Sequence, residues 1–185
     1  MRPEDEAEFA GLVERQWPFA CRVAWAVLRQ AQDAEDAAQE AFLKIWRAQA
    51  WGNLGDERAY VARVAWRAAV DRVRDSSLRR RSGQAPGHTR HRAEQELSPE
   101  EIADRAQSPE EIVVAANWES ALHRLIDSLP EELRQPLALS AEMNSREIAA
   151  TMGIAEGTVR TRLMRARQML REKMAATEER RYAGR

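Results

Sequence analysis

The segment 144–174 constrains the fold most, because it places a tight turn between two short amphipathic patterns. It reads NSREIAATMGIAEGTVRTRLMRARQMLREKM. Asn144 predicts a helix N-cap, and Glu147, three residues later, completes a capping box. Gly153 predicts the end of this first helix, since the residue just past a helix often adopts a positive φ. A second helix is expected from Glu156. The spacing predicts a helix-turn-helix.

The second helix of this motif divides into an apolar and a basic face. The apolar stripe, spaced by three or four residues, comprises Val159, Leu163, Ala166, Leu170 and Met174. The candidate DNA-binding residues of this helix are Thr158, Arg160, Thr161, Arg162, Met164, Arg165 and Arg167. Joined to the turn, the basic face indicates a helix that enters the DNA major groove. The alternative is an amphipathic helix whose basic face is merely solvated.

The charged residues form blocks, although the formal net charge is only −1. Residues 61–92 hold 2 acidic and 9 basic residues, and residues 143–185 hold 5 and 10. Acidic residues prevail in 1–60 (11 against 7) and in 93–142 (12 against 3). Two basic blocks separated by an acidic one favour two separate contacts with nucleic acid.

The N-terminal part of the chain predicts helices with one polar docking face. Residues 5–30 are expected to form a helix or a helix pair, with a break or kink at Pro18. Asp33 is expected to cap the next helix. That helix should expose an acidic and amide-bearing patch and pack two aromatic side chains behind it. The patch comprises Asp36, Gln39 and Glu40, and the aromatic residues are Phe42 and Trp46.

A loop at 51–56 leads into a basic helix that begins at Glu57. An exposed aromatic side chain beside arginines suits single-stranded DNA, because arginines hold phosphates and aromatic rings stack on unpaired bases. The alternative, equally open from the spacing, is that Trp51 and Trp66 are core residues and the arginines are solvated. The candidate residues of this second contact are Trp51, Asn53, Arg63, Arg67 and Arg74.

Residues 76–115 lose the apolar periodicity and predict a linker, flexible or only locally helical. Two histidines there, His88 and His91, have no third ligand nearby, so no metal site and no cofactor are predicted. An amphipathic helix is expected from Val113, and another begins near Pro130. The predicted fold class is all-α, with two small helical domains joined by a flexible linker. The predicted boundaries are 1–78, a linker at 79–112, 113–176, and a C-terminal tail at 177–185.

Four segments carry a family resemblance. The first two are DAEDAAQEAFLKIWR and RAYVARVAWRAAVDRVR; the others are LPEELRQPL and EIAATMGIAEGTVRTRLMRARQML. In this order the chain resembles the extracytoplasmic-function (ECF, group IV) sigma factors of bacterial RNA polymerase, over nearly its full length. The first pair is similar to sigma region 2 and the second pair to region 4. The family usually has an asparagine where Arg67 stands and a tryptophan near Tyr60.

The resemblance implies a promoter-specificity subunit and not an enzyme. Region 2 would dock on the clamp helices of the largest polymerase subunit through Asp36, Gln39, Glu40, Phe42 and Trp46. It would melt the −10 element with the loop residues and arginines given above. Region 4 would approach the flap of the second-largest subunit. The residues that would read the bases of the −35 element are Arg160, Thr161, Met164 and Arg165. Thr158, Arg162 and Arg167 would contact DNA phosphates or pack against the protein.

The resemblance also implies regulation by an anti-sigma factor, often membrane-anchored. We expect a cytoplasmic protein, which that factor can hold at the inner face of the membrane, since no apolar run approaches the ~20 residues that span a bilayer. No small-molecule substrate is expected. A conventional helix-turn-helix regulator that acts without polymerase is the alternative function. An enzyme acting on nucleic acid lacks support, because no nucleophile lies beside a base and no glycine loop could cradle phosphates.

Overall fold

A computed structural model describes residues 3–52, 54–81 and 124–183 of the 185-residue chain. All regular elements in these ranges are helices. In chain order they are α1 (Pro3–Leu28), α2 (Ala31–Arg47), α3 (Glu57–Arg81), α4 (Glu131–Leu139), α5 (Ser145–Met152) and α6 (Glu156–Ala183). A helical segment at 124–127 precedes α4. Asn53, the predicted linker from residue 82 onward and the predicted helix start at Val113 lie outside the described residues.

Several predicted boundaries differ from the structure. For residues 5–30 the first of the two expectations is confirmed, because α1 is one helix that contains Pro18. Asp33 does not cap α2: the helix begins at Ala31 and its N-cap is Gln30, so Asp33 lies in the first turn, where its charge favours the helix dipole. α3 continues through Arg81, so positions 76–81, expected in the linker, are helical. α6 likewise continues to Ala183, through most of the expected tail.

The N-terminal domain, α1 to α3, packs as three mutually contacting helices. Small residues make this possible, because Ala37, Ala38 and Ala41 are fully buried on α2 and let the helices approach closely. Elsewhere in the bundle, the helices are in contact through aromatic rings instead of alanine side chains. Their contacts join Phe9, Trp17, Phe42, Trp46 and Trp51. This cluster closes the bundle beneath the loop that leads into α3.

The C-terminal domain, residues 124–183, is built around α6. Both α4 and α5 pack against that helix. Leu129 and Leu133 contact the α6 stripe at Ala166, in a small apolar cluster that Leu170 completes.

The two domains are also in contact with each other, because α1 contacts α4 and α3 contacts α5. Buried residues of the C-terminal domain, among them Leu139, Met143 and Ile148, belong to the same continuous apolar core as α1, α2 and α3. The chain therefore folds into two helical domains that share part of their core.

Candidate nucleic-acid interface

The helix-turn-helix has the predicted caps. The Asn144 side chain accepts hydrogen bonds from the backbone N–H groups of Arg146 and Glu147, both at 3.0 Å. The Glu147 carboxylate in turn accepts the Asn144 N–H at 2.7 Å, which completes the capping box. Gly153 ends α5 at φ 70°, and its N–H bonds the Ala149 carbonyl at 2.9 Å. The capping box and the left-handed glycine are confirmed.

The apolar stripe of α6 is confirmed in its first three turns. Val159 and Leu163 are buried in the apolar core that also contains Ile148 and Ala149 of α5, whereas Ala166 is buried in the cluster with Leu129 and Leu133. Toward the C-terminal end of the stripe, Leu170 and Met174 are only half-buried. Packing in the first turns fixes the angle at which α6 leaves the turn, so the opposite face of α6 points away from the protein.

That opposite face is exposed. Arg160, Thr161, Arg165 and Arg167 are exposed, and the Met164 side chain reaches 61 % exposure. Of the two other predicted residues on this helix, Thr158 is exposed and Arg162 is half-buried. Arg160 forms an ion pair with Glu156, one turn earlier. The Thr161 hydroxyl donates to the Gly157 carbonyl at 2.9 Å.

A shallow groove of about 400 Å³ lies between the N-terminal ends of α4 and α6. Its lining includes Gly157, Arg162 and Arg165 of α6 and one acidic residue, Glu132 of α4. The first turn of a helix presents unpaired N–H groups and a partial positive charge, so two arginines beside it create a surface that favours anions. This groove suits the phosphate groups that flank a major-groove contact.

On α3, Arg67 and Arg74 are exposed and Arg63 is half-buried. The expectation of an exposed aromatic in the preceding loop is wrong for Trp51, which is 8 % exposed. Its ring stacks on Trp46 at 5.0 Å, with an interplanar angle of 11°. The core interpretation also holds for Trp66, which is 8 % exposed. The α3 surface is therefore defined by arginines.

The predicted patch on α2 is exposed at Asp36 and Gln39 and half-buried at Glu40. Asp36 bonds Arg72 of α3 at 3.0 Å, and Glu40 pairs with Lys44 at 2.9 Å. Behind this surface, Phe42 is buried and Trp46 is half-buried, as expected.

Sequence reasoning missed Leu43, which is 45 % exposed on α2. It follows Asp36 by seven residues, Gln39 by four and Glu40 by three, which places it on the same helix face. That spacing was the available signal. An exposed leucine within a polar patch provides apolar area to a docking partner.

Other kinds of site are not evident in the residues that the structure describes. They contain no group of three or more His, Cys, Asp or Glu side chains placed to hold a metal ion. No helix among them is long and apolar enough to cross a membrane. Burial raises the pKa of the Cys21 thiol to about 11, and the negative charge of Glu35 adds to this effect.

Two sequence families match the two domains. The chain matches Sigma-70 region 2 over residues 12–79 and Sigma-70 region 4 over residues 119–170. The RNA polymerase sigma-H factor of Pseudomonas aeruginosa is 32 % identical over 149 residues, which cover 77 % of this chain and 74 % of the relative. The ECF RNA polymerase sigma-E factor of Escherichia coli K12 is 31 % identical over 146 residues, with coverage of 77 % and 74 %.

The chain belongs to the ECF sigma factors of the sigma-70 family. The ECF sigma factor SigE of Mycolicibacterium smegmatis is also similar, at 30 % identity over 89 % of this chain and 60 % of the relative. Sigma factors are transcription initiation factors that direct RNA polymerase to promoters, so this sigma factor is not an enzyme. Its N-terminal domain corresponds to region 2 and its C-terminal domain to region 4.

Solved structures show the same fold. The sigma factor RpoE of Bartonella quintana, in complex with the anti-sigma factor NepR, aligns with a TM-score of 0.62 at 18 % identity and covers 90 % of this chain and 96 % of that one. CnrH, in complex with the cytosolic domain of CnrY, aligns with a TM-score of 0.57 at 21 % identity, covering 91 % and 88 %.

Proposed function

We propose that this sigma factor reads the −35 element with the exposed face of α6. The observation that carries the proposal is the capped helix-turn-helix, which buries Val159 and Leu163 and leaves Arg160 and Met164 outward. Arginine pairs with the O6 and N7 atoms of guanine, and an apolar side chain packs on the thymine methyl group. Arg160, Thr161, Met164 and Arg165 therefore supply base contacts.

The remaining polar residues of this surface hold the DNA backbone. Arg162 lines the groove beside the first turn of α6, and Thr158 lies at the same place, where phosphate oxygens are favoured. Arg167 is exposed one turn beyond Met164 and takes a phosphate. Such contacts give affinity that falls with salt and carry no sequence information.

The −10 contact is assigned to α3. Arg63, Arg67 and Arg74 place positive charge along one side of this helix, which suits the phosphates of a separated strand. Asn53 of the loop remains a candidate for capture of an unstacked base. Trp51 is instead a support for that loop, because its ring is packed between Phe9 and Trp46.

The docking surface for core polymerase is assigned to α2. Asp36, Gln39 and Glu40 provide the polar contacts with the clamp helices, and Phe42 and Trp46 hold α2 in place from behind. Leu43 adds an apolar contact on this face, about one turn beyond Gln39 and Glu40. The flap of the second-largest subunit is the expected neighbour of the C-terminal domain.

The regulatory partner is an anti-sigma factor in the cytoplasm or anchored at the membrane. Support comes from RpoE and CnrH, which are similar in fold and were solved with NepR and with the cytosolic domain of CnrY.

The polymerase assignment is tested by retention of core RNA polymerase on the immobilised chain. Leu43→Glu and Glu40→Lys should lower retention strongly. The matched control is Leu78→Glu, because Leu78 is also an exposed leucine, at 56 % against 45 % for Leu43, and lies on α3 instead of α2. Equal retention by all variants would contradict docking through α2.

The −35 assignment is tested with polymerase holoenzyme on promoter variants. Arg160→Ala should reduce the difference in binding free energy between the preferred base pair and the others by about 1–3 kcal/mol at one position, because one bidentate contact provides this much discrimination. Arg167→Ala should instead weaken all promoters alike and reduce the salt dependence. Retention of core polymerase should stay unchanged in both variants. Equal loss of promoter and polymerase binding by Arg160→Ala would contradict its role in base reading.

A further inference from the structure

One arginine of the proposed base-reading face is held by a carboxylate of its own helix. Nη2 of Arg160 donates to the Oε1 atom of Glu156, four residues earlier, and the two side chains form an ion pair. Both side chains remain accessible, since Arg160 is 70 % exposed and Glu156 is 38 % exposed. The pair therefore lies on the open surface of α6 and not in its packed side.

The other residues proposed to read bases have no such charged partner. The Thr161 hydroxyl donates to the carbonyl of Gly157, and Met164 is uncharged. Within residues 3–52, 54–81 and 124–183, no carboxylate forms an ion pair with Arg165. Among these four residues, and within these ranges, Arg160 is thus the one whose side chain is restrained by an opposite charge.

The ion pair also determines where the guanidinium group of Arg160 lies. Helix side chains lean toward the N-terminus, so a side chain covers the turn before its own position. Glu156 is the first residue of α6, and Gly157 beside it has no side chain. The guanidinium group is therefore held over the first turn of α6. This is the part of a recognition helix that contacts base edges.

A restrained arginine selects its DNA contacts differently from a mobile one. A mobile guanidinium group reaches phosphate oxygens as readily as base edges, and phosphate contacts carry no sequence information. The Glu156 carboxylate engages one guanidinium nitrogen and repels phosphates, while the remaining N–H groups can donate to O6 and N7 of guanine. The restraint also reduces the conformational entropy that Arg160 loses when it binds a base.

We propose that Glu156 is a positioning residue for −35 specificity, which holds Arg160 over the first turn of α6 for a base edge and keeps it from the phosphates. The inference rests on the proposed function of Arg160, and Glu156 itself contacts no base. Loss of Glu156 should therefore have two opposite effects. Affinity for DNA in general should increase, and selectivity at the base pair read by Arg160 should decrease.

The test uses polymerase holoenzyme with the full-length chain, on promoters that carry each base pair in turn at every −35 position. At the position that Arg160→Ala affects, Glu156→Ala should reduce the preference for the best base pair about 2- to 5-fold. Binding to all promoter variants should become tighter. The slope of log K against log salt should become steeper by about one, because the released Arg160 takes a phosphate.

Glu172→Ala is the matched control. Glu172 is another exposed glutamate of α6, and its carboxylate accepts from Nε2 of Gln168, four residues earlier, at 3.0 Å. The control removes the same charge from the same helix, so it should leave the base preference at every −35 position unchanged. Glu156→Gln keeps an oxygen that can accept from Arg160, and it should retain more of the preference than Glu156→Ala.

A double-mutant cycle separates positioning from direct base reading. If Glu156 acts through Arg160, the addition of Glu156→Ala to Arg160→Ala should leave the remaining base preferences unchanged. A changed preference at a second base pair that persists in the Arg160→Ala background would overturn the proposal, because Glu156 would then read a base itself.

Two further outcomes would overturn the role of Glu156. One is an unchanged base preference in Glu156→Ala while Arg160→Ala still loses its preference. The other is a uniform loss of affinity together with a lower Tm, which would mean that Glu156 stabilises the first turn of α6 and nothing more. A failure of the proposed function is a different result, since Arg160→Ala itself would then leave every −35 preference unchanged.

Discussion

Replacement of Asn144 by alanine tests the physical basis of the helix-turn-helix. The Asn144 side chain satisfies two backbone N–H groups at the start of α5, each at 3.0 Å. α5 has only eight residues, far fewer than the ~12–15 that an isolated helix needs. Its stability therefore depends on its cap and on its packing against α6. Loss of such a cap costs about 1 kcal/mol, within a range of about 0.5–2.

The assay is thermal unfolding of the full-length chain by circular dichroism. For a chain of 185 residues, about 1 kcal/mol corresponds to a decrease in Tm of about 2–4 °C. Asn144→Asp and Asn144→Ser should retain most of the stability, because both side chains cap helices. Ser145→Ala, one position inside the helix, is the control and should change Tm little.

Two results would refute this reasoning. One is an Asn144→Ala variant with an unchanged Tm, which would mean that packing alone holds α5. The other is an Asn144→Asp variant that loses as much as the alanine variant, because an aspartate carboxylate can accept the same two N–H groups as the Asn144 side chain.

Three further predictions concern stability and reactivity. Gly153→Ala should lower the free energy of unfolding, measured by chemical denaturation, by about 1–2 kcal/mol. An added Cβ meets no atom within 4 Å, so the loss comes from the φ of 70° that alanine disfavours. Gly153→Asn should lower it less, because asparagine tolerates this backbone conformation, and equal losses would contradict this reason. Trp51→Ala should lower the free energy of unfolding, in the same denaturation assay, by about 3–5 kcal/mol. A decrease below ~1 kcal/mol would contradict the burial of Trp51 in the aromatic cluster. Cys21 should react with iodoacetamide at pH 8 about 100-fold more slowly in the folded than in the denatured chain, because its pKa rises from 9.0 to about 11. Equal alkylation rates in the folded and denatured chains would contradict the raised pKa of Cys21. Because the pKa is higher in the folded chain, the neutral thiol contributes to stability below about pH 9, and this contribution is lost toward pH 11.

Local signals were sufficient for the helix-turn-helix. Asn144, Glu147 and Gly153 act within a few residues of their own positions, so their capping and turn geometry follows from the sequence. Asp33 shows the limit of such signals, because a good capping residue also suits the first turn, and Asp33 lies there, three residues after the N-cap Gln30.

Contacts between distant segments could not be predicted in the same way. Periodicity placed Trp51 in a loop, but its burial results from packing against Trp46 and against Phe9, which lies more than forty residues earlier. The Arg22–Glu142 contact joins residues 120 positions apart, across the predicted linker. Neither residue belongs to a motif, so the contact between the domains has no local signature.

The most direct test of the account is transcription in vitro from genomic DNA fragments with purified core RNA polymerase, with and without this chain. We predict transcripts that require the chain and whose upstream sequences share a −35 and a −10 element. With Arg160→Ala, the set of transcribed promoters should change at the −35 element only. The account would be contradicted if the chain bound specific DNA by itself and yielded no new transcripts with core polymerase.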